Sequence, residues 1–228
     1  MSVTEVGADA DAAVAGIRDG ATVLVGGFGE AGQPMELISA LRRSGTRDLT
    51  LVSNNAGNGD IGLAALLQAG QVRKVICSFP RQADSWVFDE LYRSKRIELE
   101  LVPQGNLAER MRAAGAGIGA FFCPTAVGTP LAEGKETRVI DGREYVLEYP
   151  IRGDAALIKA YRADTLGNLV YRKTARNFGP VMATAAALTI AQVEEIVEPG
   201  GIDPEVVVTP GIFVDRIVQV RPPALGPA

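Results

Sequence analysis

Apolar and polar positions alternate in blocks along the first half of the chain. Residues 8–18 carry apolar positions at helical spacing and predict a short amphipathic helix. An apolar run, Ala21–Val25, predicts a strand, and a glycine-rich turn follows it. The next helix is expected to open with Pro34 at its first position, where a missing N–H costs nothing, and to run to about Ser44. The pattern then recurs. DLTLVSN reads as a strand, Ile61–Ala69 as a helix ending at Gly70, and RKVICSF as a buried strand. Asp84–Lys95 reads as a helix capped by Asp84, and IELELVP as a half-exposed strand. Asn106–Ala114 reads as a helix that Gly115 is placed to stop. Strands alternating with helices at this spacing predict βαβ units and a mainly parallel sheet flanked by helices.

The pattern changes after about Phe121. TRVIDGREYVLEY is two strand runs around Asp141-Gly142, a type I′ hairpin signal. AALIKAYRADTLGNLVYRK reads as a second such pair turning near Gly167-Asn168. A helix near Pro180–Ala187 and the strand runs LTIAQVEEIVE and IFVDRIVQV follow. The expectation is an α/β fold, a mainly parallel sheet with an added antiparallel portion. It forms one domain over residues 1–220, with a Pro/Gly-rich tail over 221–228.

Composition narrows the chemistry. The 228 residues are 47% hydrophobic, enough for a sizeable core, with 26 glycines. The net charge of −4 argues against a nucleic-acid surface. The chain has no His, which excludes imidazole-based triads and His-ligated metal sites. Its two cysteines, Cys77 and Cys123, lie far apart and form no CxxC pattern; both read as small core residues. The N-terminus lacks a basic and an apolar signal region, and no apolar run approaches a membrane span. A cytoplasmic protein is expected.

Candidate chemistry concentrates in DGATVLVGGFGEAGQP, Asp19–Pro34. Gly27-x-Gly29-x-x-Gly32 follows a strand and precedes a helix, the spacing of the dinucleotide fingerprint. That reading requires an acid at the end of the second strand to hold a ribose, and Asn54 and Asn55 stand there instead. NAD binding is therefore the weaker reading. The same segment carries an Asp-Gly pair, three apolar residues, Gly26-Gly27-Phe28, three residues and Gly-x-Pro. This resembles the first signature of family I (3-oxoacid) CoA-transferases. Consecutive glycines permit close backbone approach to a ligand, and a helix N-terminus suits anionic or polar groups. A tight β–α crossover with no ligand is the bland alternative.

Val52–Leu67, Val102–Thr129 and Tyr171–Pro180 extend the resemblance to the family's A subunit over roughly Ala21 to Val220. Cys77–Arg93 and Glu133–Glu148 look most like the 3-oxoadipate branch. One departure is TAVGTP, Thr125–Pro130, where members usually read TGYGT. The resemblance implies ping-pong transfer of CoA from succinyl-CoA to 3-oxoadipate, with a succinyl-CoA:acetoacetate-type transferase as the alternative. CoA would be a substrate, with no permanently bound cofactor. A Glu in an S-E-N-G motif would act as nucleophile. No S-E-N-G occurs here, so that Glu is expected on a partner B subunit, in a heterotetramer of two A and two B chains.

The resemblance places Gly26, Gly27, Phe28, Gly29, Gly32, Asn54, Asn55 and Gln104 around the CoA-binding cleft. Amide donors there could steady a thioester or anhydride oxygen, whereas turn chemistry alone would also account for the asparagines. Arg81 follows Pro80 at a strand end, and its planar fork suits the distal carboxylate of a 3-oxodicarboxylate. A solvated surface Arg is the alternative. Arg172, Lys173 and Arg176 form a basic cluster that would suit CoA phosphates, the partner chain or solvent equally.

Overall fold

The computed structural model describes residues 4–7 and 9–220; the tail expected over 221–228 lies outside the described residues. The strands are β1 (Glu5–Val6), β2 (Thr22–Val25), β3 (Leu49–Val52), β4 (Val72–Cys77), β5 (Glu98–Leu101), β6 (Phe121–Cys123) and β7 (Thr137–Ile140). They continue with β8 (Arg143–Glu148), β9 (Gly153–Lys159), β10 (Arg162–Asp164), β11 (Leu169–Val170), β12 (Ala186–Val193), β13 (Glu195–Val197) and β14 (Arg216–Gln219). The α-helices are α1 (Ala10–Val14), α2 (Met35–Ser44), α3 (Leu63–Gln68), α4 (Trp86–Arg93), α5 (Gln104–Gly115) and α6 (Gly179–Ala185).

Eight strands form one sheet in the order β1-β14-β12-β9-β2-β3-β4-β5, with every pairing parallel. Central strands of such a sheet are covered on both faces and read as continuous apolar runs; β3, LTLV, is buried at all four positions. One core cluster packs Val23, Val25 and Leu51 against α1 to α4. The other packs Leu24, Val52 and Ile158 against α5 and α6. Two smaller sheets are added: β6-β8-β7, antiparallel throughout, and β11-β10-β13. The mainly parallel architecture with an antiparallel addition is the one expected.

Local chemistry accounts for the boundaries. The β7–β8 hairpin turns on Asp141 (φ 49°) and Gly142 (φ 76°), the paired positive angles of a type I′ turn. Helix α2 buries Leu37, Ile38 and Leu41 and ends at Gly45, which is left-handed at φ 71°. Gln192 Oε1, from β12, accepts the Glu36 N–H in the first turn of α2 at 3.0 Å. Pro34 sits one residue before the helix, where its carbonyl accepts the Ile38 N–H at 3.0 Å.

Four expectations need correction. Asp84 does not cap α4: Ser85 holds that position, and its hydroxyl bonds the Gln82 N–H and the Gly57 carbonyl. Helix α5 begins at Gln104, two residues early, because Pro103 directs the chain into it. Gly115 is its last residue and does not stop it; a Cβ there would overlap Thr184 of α6, so that glycine serves helix–helix contact. The left-handed glycine lies beyond, at Gly117 (φ 72°). The segment read as one strand pair, AALIKAYRADTLGNLVYRK, divides between two sheets. Only β10 and β11 form the hairpin, whereas β9 is a central strand between β2 and β12.

Candidate active site

Strand order places the site. From β2 the chain moves outward through β3, β4 and β5, and it returns on the other side of β2 as β9 and then β12. The sheet therefore reverses direction of progress between β2 and β9. At such a switch point loops leave toward opposite faces and open a crevice at the carboxyl ends of the strands. The glycine loop leaves β2 at that crevice, and the Gly26 N–H still bonds Leu157 O of β9 at 2.9 Å.

Gly27 adopts φ 134°, and a Cβ on it would stand 2.6 Å from Gln33 Cγ. Phe28 and Ala31 then exchange two backbone hydrogen bonds, of 3.0 and 3.2 Å, around Gly29-Glu30. This two-residue turn takes its positive angle at Gly29, φ 59°. Gly32 (φ 79°) lies against Ala175, whose carbonyl would be 2.7 Å from an added Cβ. Buried Gln33 closes the loop by donating Nε2–H to Gly29 O at 2.6 Å. Phe28 is left 49% exposed at the crevice.

Two of the three amides singled out in the sequence bind this loop directly, and the third reaches it through Asn54. Asn54 and Asn55 follow β3 and are 3% and 1% exposed. Asn54 Oδ1 accepts the Gly29 N–H at 3.5 Å, and its Nδ2 donates to Ser78 Oγ and to Gln104 Oε1 at 3.3 and 3.2 Å. Asn55 Nδ2 donates to Gly29 O at 3.4 Å, and its Oδ1 accepts the Gly57 N–H at 2.8 Å. Gln104, first residue of α5, is exposed. With its carbonyl oxygen committed to Asn54, its Nε2 has no partner among the described residues, and Gln104 lines a cleft. A fixed amide donor at the edge of a crevice is what a developing oxyanion requires.

Arg81 is not drawn into this network. Its Nε binds Asp89 Oδ1 of α4 at 2.6 Å, and the side chain is 55% exposed. The basic cluster divides as well: Arg172 and Lys173 line a cleft of about 340 Å³ beside Gly32, together with Lys159 and Glu194. Arg176 instead neighbours Tyr171. Burial pushes that phenol up to about 12, against the opposing pull of its Thr209 hydrogen bond and of Arg176.

Asn177 was missed in the sequence. Its Oδ1 accepts the Gly27 and Phe178 N–H groups at 3.1 and 2.7 Å, and its Nδ2 donates to Ala31 O and Thr174 O at 2.9 and 2.7 Å. It holds the glycine loop from the far side. The only available signal was an Asn beside a Phe-Gly-Pro turn, which is indistinguishable from ordinary turn chemistry. Neither cysteine competes for a role at the site. Burial pushes the Cys77 thiol up to about 12, which keeps it from acting as a thiolate. The Cys123 thiol donates to Asn106 Oδ1 at 3.3 Å.

Beside Gln104 the crevice deepens into a cleft of about 590 Å³ between α5 and α6, walled by Phe28, Ala108, Phe178 and Val181. The coenzyme A transferase family model matches residues 8–220. This chain belongs to that family. It is 69% identical over 208 residues to the A subunit of 3-oxoadipate CoA-transferase from Pseudomonas putida, covering 91% of this chain and 90% of that one. It is 56% identical over 212 residues to the A subunit of succinyl-CoA:3-ketoacid coenzyme A transferase from Xanthomonas campestris pv. campestris, covering 92% and 87%. The fold superposes on glutaconate coenzyme A-transferase from Acidaminococcus fermentans with a TM-score of 0.84 at 22% identity, over 96% of this chain and 76% of that one. The dinucleotide reading of the glycine loop falls away: the strand-end position carries buried amides that bind the loop itself. No helix among the described residues is long and apolar enough to cross a membrane.

Proposed function

We propose that this chain is the A subunit of a two-subunit CoA-transferase that moves CoA from succinyl-CoA to 3-oxoadipate. The observation that carries the reading is the network by which Asn54 and Asn55 bind the glycine loop at the switch point and Asn54 holds Gln104, a cleft-lining residue whose amide donor is unpaired among the described residues. The 69% identity to a 3-oxoadipate CoA-transferase chain supports the choice of acceptor.

In this reading the nucleophilic Glu comes from a B subunit carrying S-E-N-G, since the motif is absent here. The carboxylate attacks the thioester carbonyl of the acyl-CoA and expels the CoA thiolate. That thiolate then attacks the glutamyl carbonyl of the resulting anhydride and releases the acid, leaving a glutamyl–CoA thioester. The acceptor carboxylate reverses the sequence. Gly26, Gly27, Phe28, Gly29 and Gly32 shape the floor of the cleft for CoA. The Gln104 amide steadies the oxygen that gains charge, and Asn54 and Asn55, whose own donors are spent on Ser78, Gln104 and Gly29, hold that amide and the loop in place. Arg81 keeps its Nη groups unpaired among the described residues and is one candidate for the distal carboxylate of the acceptor. CoA passes through as substrate, and a cytoplasmic heterotetramer of two A and two B chains completes the reading.

The test is reconstitution. The isolated chain should be inactive, and mixing it with an S-E-N-G partner should restore transfer from succinyl-CoA to 3-oxoadipate. Acyl-CoA followed by borohydride should change the mass of the partner and leave this chain unmodified. Robust turnover by this chain alone, or a modified Glu within it, overturns the reading. A second reading, transfer to acetoacetate, rests on the 56% identity to the succinyl-CoA:3-ketoacid enzyme. Acceptor preference, measured on the same complex, separates the two.

A further inference from the structure

The cleft between α5 and α6 is polar at both ends and apolar between them. Gln104, Ala108 and Arg112 all line it, and they stand at positions i, i+4 and i+8 of α5, one stripe on one helical face. The middle position is Ala, so no side chain fills the groove between the amide and the guanidinium. The rest of the lining is uncharged apart from Glu109: Phe28, Phe178, Pro180 and Val181 offer apolar contacts, and Asn177 and Thr184 donate to backbone carbonyls. At 1.5 Å per residue the Cα atoms of Gln104 and Arg112 are about 12 Å apart. Arg112 reaches back along the helix, its Nε meeting Glu109 one turn earlier, so the gap between its fork and the Gln104 amide is shorter than the Cα separation and suits a short dicarboxylate.

Arg112 is held ready for such a ligand. Its Nε donates to Glu109 Oε2 at 2.8 Å, one helical turn back, which fixes the plane of the fork. The two Nη groups have no partner among the described residues, and the side chain is 55% exposed at the mouth of the cleft. Nη1 and Nη2 together form one bidentate face for a carboxylate. Glu109 also lines the cleft, and its charge, engaged on Nε, disfavours a second anion beside it, so the distal group must meet the Nη edge.

We propose that Arg112 is a specificity-determining residue: it takes the distal carboxylate of dicarboxylate acyl groups whose reacting carbonyl lies at Gln104. This rests on the transferase reading above and goes beyond it by naming where the second carboxylate is held. Monocarboxylate acids use the same cleft without that anchor.

The experiment isolates one half-reaction. The reconstituted two-chain enzyme is charged with CoA, freed of donor, and discharged in single turnovers by 3-oxoadipate, succinate or acetoacetate. Arg112→Ala should cut the second-order discharge constant for both dicarboxylates roughly ten- to a hundredfold, mainly through the half-saturating concentration. The loss with acetoacetate should be several-fold smaller. Arg112→Lys should recover part of the difference, since an ammonium keeps the charge and lacks the fork. Equal losses for dicarboxylates and acetoacetate, or full recovery with Lys at the level of the parent enzyme, overturn the proposal. If the parent enzyme cannot be charged with CoA at all, it is the transferase reading that fails.

Discussion

Asn177 Oδ1 accepts the N–H of Gly27 at 3.1 Å, joining two segments 150 residues apart in the chain. The same side chain holds Ala31 and Thr174, so one amide clamps both ends of the glycine turn. Removing it leaves the N–H of buried Gly27 without a partner, which costs about 1–3 kcal/mol. Asn177→Ala should lower unfolding free energy by that amount in urea titration and reduce kcat/KM in the assembled enzyme. Asn177→Asp keeps the acceptor oxygens and loses the two donations, and should fall between.

The glycines of the loop are not equivalent. At Gly27 both the angle, φ 134°, and the contact with Gln33 forbid a side chain, whereas at Gly29, φ 59°, an added Cβ meets nothing within 4 Å. Gly29→Ala should therefore cost only about 1 kcal/mol, the penalty of a left-handed alanine. Gly27→Ala combines a glycine-only conformation with overpacking and should cost on the order of 2–5 kcal/mol. Unfolding midpoints of the two variants test the contrast, and near-equal shifts would show that the loop relaxes around Gly27.

Much of this was legible because it is local. The β7–β8 hairpin follows from Asp141-Gly142, and the buried strand β3 from an unbroken apolar run. Strand β9 was misplaced because its register is set by β2 and β12, at Val23↔Ala155 and Ala186↔Gly153, and nothing adjacent in the sequence encodes those partners. Its apolar run, AALI, suits a central parallel strand as well as a hairpin. The site divides the same way. Gly27, Gly29, Asn54, Asn55 and Gln104 follow strand ends, but it was the family resemblance that singled them out, since turn chemistry alone would account for the asparagines. Asn177 and Arg112 lie on segments that only the folded sheet brings to the crevice.

The departure at Thr125–Pro130 has a backbone consequence. Ala126 adopts φ 77°, a left-handed angle that costs an L-residue about 1–2 kcal/mol. The turn is held by Thr129, whose N–H and hydroxyl both donate to Ala126 O at 3.0 and 2.7 Å. Ala126→Gly should relieve the strain and raise unfolding free energy by about 0.5–1 kcal/mol, the added freedom of the unfolded chain offsetting part of the gain. A lower thermal midpoint would show that the alanine methyl makes a compensating contact.

Glu100 links the edge strand β5 to α5. Burial pushes its carboxyl upward, but hydrogen bonds from Lys74 Nζ at 2.6 Å and Arg110 Nη1 at 2.8 Å outweigh it, and the group ends below its ordinary value. A carboxylate held lower in the folded than in the unfolded chain stabilises above the unfolded value of about 4.3, and that stability is lost as pH falls through the folded value. Glu100→Gln should therefore destabilise the chain at pH 7 and flatten the decline in stability below about pH 4.3. Urea unfolding across that range, with both proteins measured side by side, checks the sign.

Two arginines compete for one carboxylate, and the pair can be separated. Arg81 pairs through Nε with Asp89 much as Arg112 pairs with Glu109, so the ion pair does not tell them apart; their places in the fold do. Arg112 stands in the cleft that Gln104 lines. Losing an exposed ion pair costs roughly 0.2–1 kcal/mol, so Arg81→Ala should fold and assemble. If Arg112 anchors the distal carboxylate, Arg81→Ala should change the ratio of 3-oxoadipate to acetoacetate discharge by less than about threefold, far below the ten- to hundredfold expected at Arg112. A large and selective loss for 3-oxoadipate in Arg81→Ala, with little in Arg112→Ala, would give the role to Arg81. The Nη edge of Arg81, unpaired among the described residues while its Nε stays on Asp89, would then be the group that meets the carboxylate.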